Sequence, residues 1–220
     1  MKDWKLIFGP RIPGELLHRE RKRFIVPSLL LGFAALLLLM SMFLPYWKLT
    51  LLAPQYPDGL KMEAYVNHVS GDVDEIDELN HYIGMRPLKE AAQLERSTSL
   101  VLISSLILLI VAGIYTHSPF VLFFAIPAIC YPFIFLGDMY FWMHNFGMNL
   151  NPHAPLSSAV KPFVPPLLGE GLVGQFKTVA TWEIGLILSI IASVLIVVGL
   201  VYHRKAYKPL FEMEVHTVTV

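Results

Sequence analysis

Four apolar stretches, residues 24–44, 100–115, 120–142 and 182–202, hold none of the chain's lysines or arginines, and they constrain its fold more than any other feature. A helix needs about 20 consecutive apolar residues to cross the hydrocarbon core of a bilayer. The stretches run from 16 to 23 residues, and each is bounded by polar residues, proline or interfacial aromatics. The whole chain is 55% hydrophobic and 15% charged, with a mean hydropathy of +0.57, outside the range of ordinary soluble domains. The expected fold class is therefore an all-α membrane protein with four transmembrane helices and a small extracytoplasmic cap formed by two loops.

The formal net charge of zero hides a segregation. Seven basic residues precede the first stretch, within 1–23, and Arg204, Lys205 and Lys208 follow the fourth, within 203–220. Basic residues stay on the cytoplasmic side of spanning helices. Both termini are thus expected in the cytoplasm, with residues 45–99 and 143–181 outside. The first stretch is too long for a signal-peptide core, and Pro45-Tyr46-Trp47 stands where a small-residue cleavage site would be, so it reads as a retained helix. Thr116 to Pro119 joins the second and third helices in a tight hairpin.

The first outer loop carries nine acidic and five basic residues. Within it, Gly71 to Ile83 reads as an amphipathic helix, with Val73, Ile76, Leu79 or Asn80, and Ile83 at helical spacing. Gly84 suits a helix C-cap and Pro87 blocks continuation. A further helical stretch over Leu88 to Arg96 would lead into the second span. The second outer loop is rich in Pro, Gly and Asn, and Phe163, Leu167, Leu168, Val173 and Phe176 give it apolar surface to bury, so an ordered irregular cap is expected.

Several chemistries are excluded. Cys130 is the single cysteine, so one chain makes no disulfide or CxxC pair. There is no GxSxG elbow, P-loop, GxGxxG or CxxCH motif. All histidines lie in loops or at helix ends, which argues against a membrane-buried haem, and the basic N-terminus reads as a topology determinant, not as a nucleic-acid patch. No catalytic residue is expected. The outer histidines, His68, His81, His144 and His153, do have methionine company. Imidazole with thioether is the donor set that suits copper, Cu(I) above all. The candidate ligands are His81 and Met85, with Asp77 one turn before His81 to orient its ring, and Met143, His144, Met148 and His153. The alternative for each is ordinary packing, since methionine fills apolar gaps. Asp138 is the one carboxylate embedded in the third span, where an acid defaults to a functional hypothesis, and Pro127 and Pro132 imply kinks in the same helix.

Across the two loops, Tyr56-Pro57 with Leu60, Gly71-Asp72-Val73 with Glu75-Ile76, Asn80-His81-Tyr82-Ile83-Gly84-Met85, Lys161-Pro162-Phe163 with Pro165, and Gln175-Phe176 carry a resemblance. The chain resembles small multi-helix inner-membrane proteins associated with nitrous oxide reductase maturation and copper handling. The resemblance runs from Tyr56 to Lys177, and the hexapeptide Asn80 to Met85 is its most specific part. It implies a non-enzymatic accessory role at the outer face of a bacterial inner membrane, helping copper reach a periplasmic copper enzyme, with His81 and Met85 at the matching positions. The other reading is a structural assembly subunit of a larger membrane complex that docks a periplasmic or membrane partner. A membrane enzyme or transporter built on Asp138 ranks third, and four helices in one chain would then call for a homo- or hetero-oligomer.

Overall fold

A computed structural model of the protein describes residues 8–9, 12–173 and 176–219, with the backbone alone at 211 and 214–219. Lys2, Lys5 and Arg11 of the basic N-terminus, Gln175 and the His216 side chain lie outside the described residues.

Among the described residues, four helices are long and apolar enough to cross a membrane. A short helix α1, Gly14–Arg19, precedes the first of them, α2, Arg21–Ser41. The others are α4, Gln93–Ile114, α5, Val121–Met148, and α6, Ile184–Thr219, which is apolar as far as Leu210. Only 17% and 22% of the most apolar stretches of α4 and α5 are buried. Leu102, Leu108, Phe123, Phe133 and Ile134 all point outward. A helix satisfies its own backbone hydrogen bonds, so such apolar surface is at home in lipid.

The expectation of a purely helical protein is corrected by a five-stranded antiparallel sheet of order β3-β2-β1-β5-β4. The strands are β1, Trp47–Ala53, β2, Tyr56–Ala64, β3, Val69–Gly71, β4, Gly169–Val173, and β5, Phe176–Trp182. The supposed loops therefore supply strands, and the physical reason is a period of two. In β1, Trp47, Leu49, Leu51 and Ala53 are buried while Lys48, Thr50 and Leu52 are not. In β2, Leu60, Met62 and Ala64 alternate in the same way, as do Thr178 and Ala180 in β5. One face of the pleat is thus apolar and must be covered. On the other face Lys48 lies directly opposite Glu63, and their charged groups are 3.2 Å apart.

The chain forms two compact units, one of residues 41–101 and 133–187, the other of 1–40, 102–132 and 188–220. In the first, the apolar face of the sheet packs with α3, Val73–Ile83, and with the C-terminal turns of α5 around Trp47, Met62, Ile76, Ile83, Met85, Met143 and Phe146. Helix α3 buries Val73, Ile76, Asn80 and Ile83, the face that its spacing predicts, and Gly84 closes it with a left-handed φ of 82°. Its start is tied to β2 reciprocally: the Asp72 N–H donates to the Lys61 carbonyl, and the Asp72 carboxylate accepts the Lys61 N–H, both at 2.8 Å. The stretch expected to be helical from Leu88 to Arg96 is a 3-10 turn, Leu88–Glu90, then an extended Ala91 and a left-handed Ala92 before α4 begins.

Tyr46 and Trp47 anchor this unit and are fully buried. The Tyr46 hydroxyl pairs with the Ser41 hydroxyl at 2.8 Å, its N–H donates to Ala64, and its carbonyl accepts from Glu183. The Trp47 indole N–H reaches the Leu167 carbonyl at 2.8 Å. Gly185, at the start of α6, passes so close that a Cβ there would lie 2.6 Å from the Tyr46 ring. The other unit is held by Phe24, Ala206, Tyr207 and Leu210, with a 2.8 Å hydrogen bond between the His203 ring and the Thr116 carbonyl.

Trp47→Ala should lower unfolding stability in detergent by about 3–5 kcal/mol, the usual cost of emptying a large aromatic site. Thermal unfolding followed by tryptophan emission measures it. Gly185→Ala should lower the melting temperature as well, although it adds only one methyl group.

Candidate functional site

The segments that carry His81, Met85 and His153 meet at a clasp built on the backbone of the Asn80 to Met85 hexapeptide. Helix α3 ends there because Gly84 adopts a conformation that disfavours any side chain. The Gly84 N–H turns back to the His81 carbonyl, and the Met85 N–H donates to the Asn80 carbonyl at 2.9 Å. The second connection then packs onto this turn. The Asn151 N–H donates to the Gly84 carbonyl at 2.8 Å, and the Leu156 N–H to the Tyr82 carbonyl at 2.9 Å. A Cβ on Gly84 would lie 2.6 Å from the Asn151 carbonyl oxygen, so the close approach requires glycine. Asn151 also accepts the His153 N–H on its side-chain oxygen at 2.9 Å.

A similar contact lies at the end of α5. The Phe163 N–H donates to the Gly147 carbonyl at 3.0 Å, and a Cβ on Gly147 would overlap the Phe163 carbonyl. The Arg86 guanidinium sits 5.0 Å from the centre of the Phe146 ring, a cation–π contact that joins the clasp to this helix end. Arg86 also pairs with Glu90 at 3.2 Å.

The six candidate ligands divide by burial. Met85 and Met143 are 6% and 8% exposed and belong to one apolar core with Ile83, Leu88 and Phe146. His81, His144, Met148 and His153 are all exposed. His144 lies 5.9 Å from the Tyr140 ring, and His81 meets Tyr82 edge-on at 6.2 Å. The clasp thus brings the segments that carry His81, Met85 and His153 together, while the two thioethers point into the core. No group of three or more His, Cys, Asp or Glu side chains placed to hold a metal occurs among the described residues.

Asp77 has a different partner from the one its spacing suggested. One of its carboxylate oxygens accepts the Leu88 N–H at 2.6 Å, which caps the 3-10 turn, and the other is buried with no hydrogen-bond partner among the described residues. Asn80 is also buried, and its amide nitrogen has no partner among the described residues. A buried carboxylate oxygen and a buried amide without partners are costly, and they occur on the same helix as His81. Asp138 is half-buried in α5, one turn before Trp142.

The residues that sequence reasoning passed over are the clasp's other half, Asn151 and Leu156, and Gly147 against Phe163. Only Gly84 gave a local signal, as a helix cap; its partner lies in a distant segment that no spacing rule connects to it.

Comparison with protein-family models, with curated proteins and with solved structures found no match for this chain.

Gly84→Ala should destabilise the unit by about 1–3 kcal/mol, the ordinary cost of forcing a side chain into the left-handed region. Limited proteolysis should show faster cleavage, most of all between residues 149 and 160.

Proposed function

We propose that the protein is a non-catalytic, membrane-anchored accessory subunit that supports copper delivery to, or maturation of, a periplasmic copper enzyme such as nitrous oxide reductase. It works by docking that partner on its folded cap. The membrane is the bacterial inner membrane, with both termini in the cytoplasm and the sheet unit outside. The copper context rests on the resemblance over Tyr56 to Lys177. The mode of action rests on one observation: the hexapeptide that carries the resemblance spends its backbone on the clasp that joins the two outer segments.

A segment used in this way shapes a surface. The cap also shows apolar surface at two places: Leu156 of the clasped segment is 45% exposed, and on or beside β4, the edge strand of the sheet, Leu168 is 56% and Leu172 69% exposed. An edge strand bearing outward leucines suits a protein partner better than open water. The test is binding of purified protein to apo nitrous oxide reductase. Leu168→Asp/Leu172→Asp should weaken binding tenfold or more, since desolvated apolar anchors dominate such interfaces, and should leave the melting temperature unchanged. Equal binding by the variant removes the docking surface proposed here.

Transient ligation of Cu(I), as cargo, is the second reading, and the exposure of His81 and His153 on either side of the clasp favours it. Titration of Cu(I) against a competing chelator separates the two readings. Under direct ligation, His81→Ala/Met85→Ala or Met143→Ala/His144→Ala abolishes tight binding. Under docking alone, wild type shows no binding above background.

A further inference from the structure

We propose that the protein carries a specific site for one anionic phospholipid, in a cavity of about 610 Å³ between α6 and the turn joining α4 to α5. The volume lies within the ~300–1,000 Å³ usual for small-molecule sites. The proposal is independent of the docking role argued above.

The lining changes character along one face of α6. Val197, Val201, Arg204 and Lys208 all border the cavity, at the i, i+4, i+7 and i+11 positions that share a helix face. The first two are apolar and, with Leu122 of α5, form a hydrocarbon-like wall in a stretch that belongs to a membrane-spanning helix. The last two are cationic and stand one and two turns further on. An amphiphile whose acyl chain follows the valines and whose phosphate meets Arg204 and Lys208 fits that order. A free anion leaves the apolar wall unused, and a neutral lipid leaves the cations unused.

The back of the cavity is rigid. His117 stacks on Tyr207 with ring centres 4.3 Å apart and planes 5° from parallel, and His203 lies 4.5 Å from the same Tyr207 ring. The hydrogen bond from the His203 ring to Thr116 holds the turn against α6. His203 and Tyr207 are both at least 95% buried, so they form a floor and leave headgroup contacts to the mouth.

At that mouth the charges do not cancel. Lys208 has Glu212 at 3.5 Å, an exposed pair one turn apart that contributes little on its own. Arg204 is exposed and has no carboxylate partner among the described residues. Basic pockets between membrane helices bind acidic lipid headgroups, and Arg204 with Lys208 supplies two cations beside this apolar crevice. Arg23 is neutralised by Glu20 at 2.6 Å and ties α2 to this end of α6, its guanidinium donating to the Lys205 carbonyl at 3.0 Å.

The test is native mass spectrometry of the full-length protein in detergent. It is titrated with dioleoyl phosphatidylglycerol, with dioleoyl phosphatidylcholine and, separately, with inorganic phosphate. Wild type should retain one phosphatidylglycerol, preferred over phosphatidylcholine by about tenfold or more, given about 1 kcal/mol for each basic residue near the headgroup. Arg204→Gln/Lys208→Gln should abolish the preference at unchanged melting temperature. Leu122→Trp, which fills the cavity and keeps its charges, should weaken both lipids. Arg21→Gln/Lys22→Gln, which removes nearby surface charge outside the cavity, should leave the preference intact. The site is overturned by equal retention of the two lipids in wild type, by a preference that survives Arg204→Gln/Lys208→Gln, by an equal loss in Arg21→Gln/Lys22→Gln, or by inorganic phosphate displacing phosphatidylglycerol at equal concentration.

Discussion

The structure of the sheet unit depends on β1 being paired along both of its edges. On one side it takes β2, its neighbour in sequence; on the other it takes β5, which lies beyond two membrane-spanning helices in the chain. A strand with two partners has all its backbone groups satisfied and shows one face to a core and the other to its surroundings. Trp47 and Tyr46 sit at the start of this strand, so the buried aromatic pair fixes where α2 ends, where β2 returns and where α6 begins. Without the β1–β5 pairing, the sheet would be two separate pieces, β3-β2-β1 and β5-β4.

The clasp depends on that pairing. Once β5 and β4 are in the sheet, the segment before them has a defined path back from α5, past Gly147 and along the end of α3. Gly84 then does two jobs with one missing side chain: it ends a helix, and it lets Asn151 approach the backbone closely. A short motif can be highly specific for this reason with no ligand involved. Its constraint is steric, and it holds residues whose partners are far away in the chain.

How much of this was legible varies by element. The four spans and α3 were readable because their signals are local: apolar length for the spans, a helical period ending at Gly84 for α3. The sheet carried an equally local signal, the alternation in Trp47-Lys48-Leu49-Thr50-Leu51, yet it abuts an apolar span, and hydropathy averaged over a long window absorbs it. Tyr56-Pro57-Asp58-Gly59 opens β2 with residues typical of turns, which disguised that strand. Register was out of reach, since what lies across from β1 is decided by packing with β5 and not by anything adjacent. For the candidate ligands the limit is chemical. Methionine is both a soft donor and a core filler, and only burial separates Met85 and Met143 from Met148. His203 and Tyr207 stand one turn apart on α6 and face each other by spacing alone, but nothing local connects them to His117 and Thr116, which belong to the distant turn between α4 and α5.

The position of β5 in the chain also sets an order of events during synthesis. Residues 47–83 leave the ribosome early, able to make β1, β2, β3 and α3 by short-range contacts. The far edge of β1, with its row of unpaired N–H and C=O groups, then has to wait until α4 and α5 have been inserted and β5 has emerged. During that interval the half-built sheet presents an open strand edge to whatever shares its compartment, a hazard for aggregation and an opening for a chaperone. The centre of the finished sheet is thus the last seam to close, and the rate at which the middle hairpin enters the bilayer governs how long it stays open.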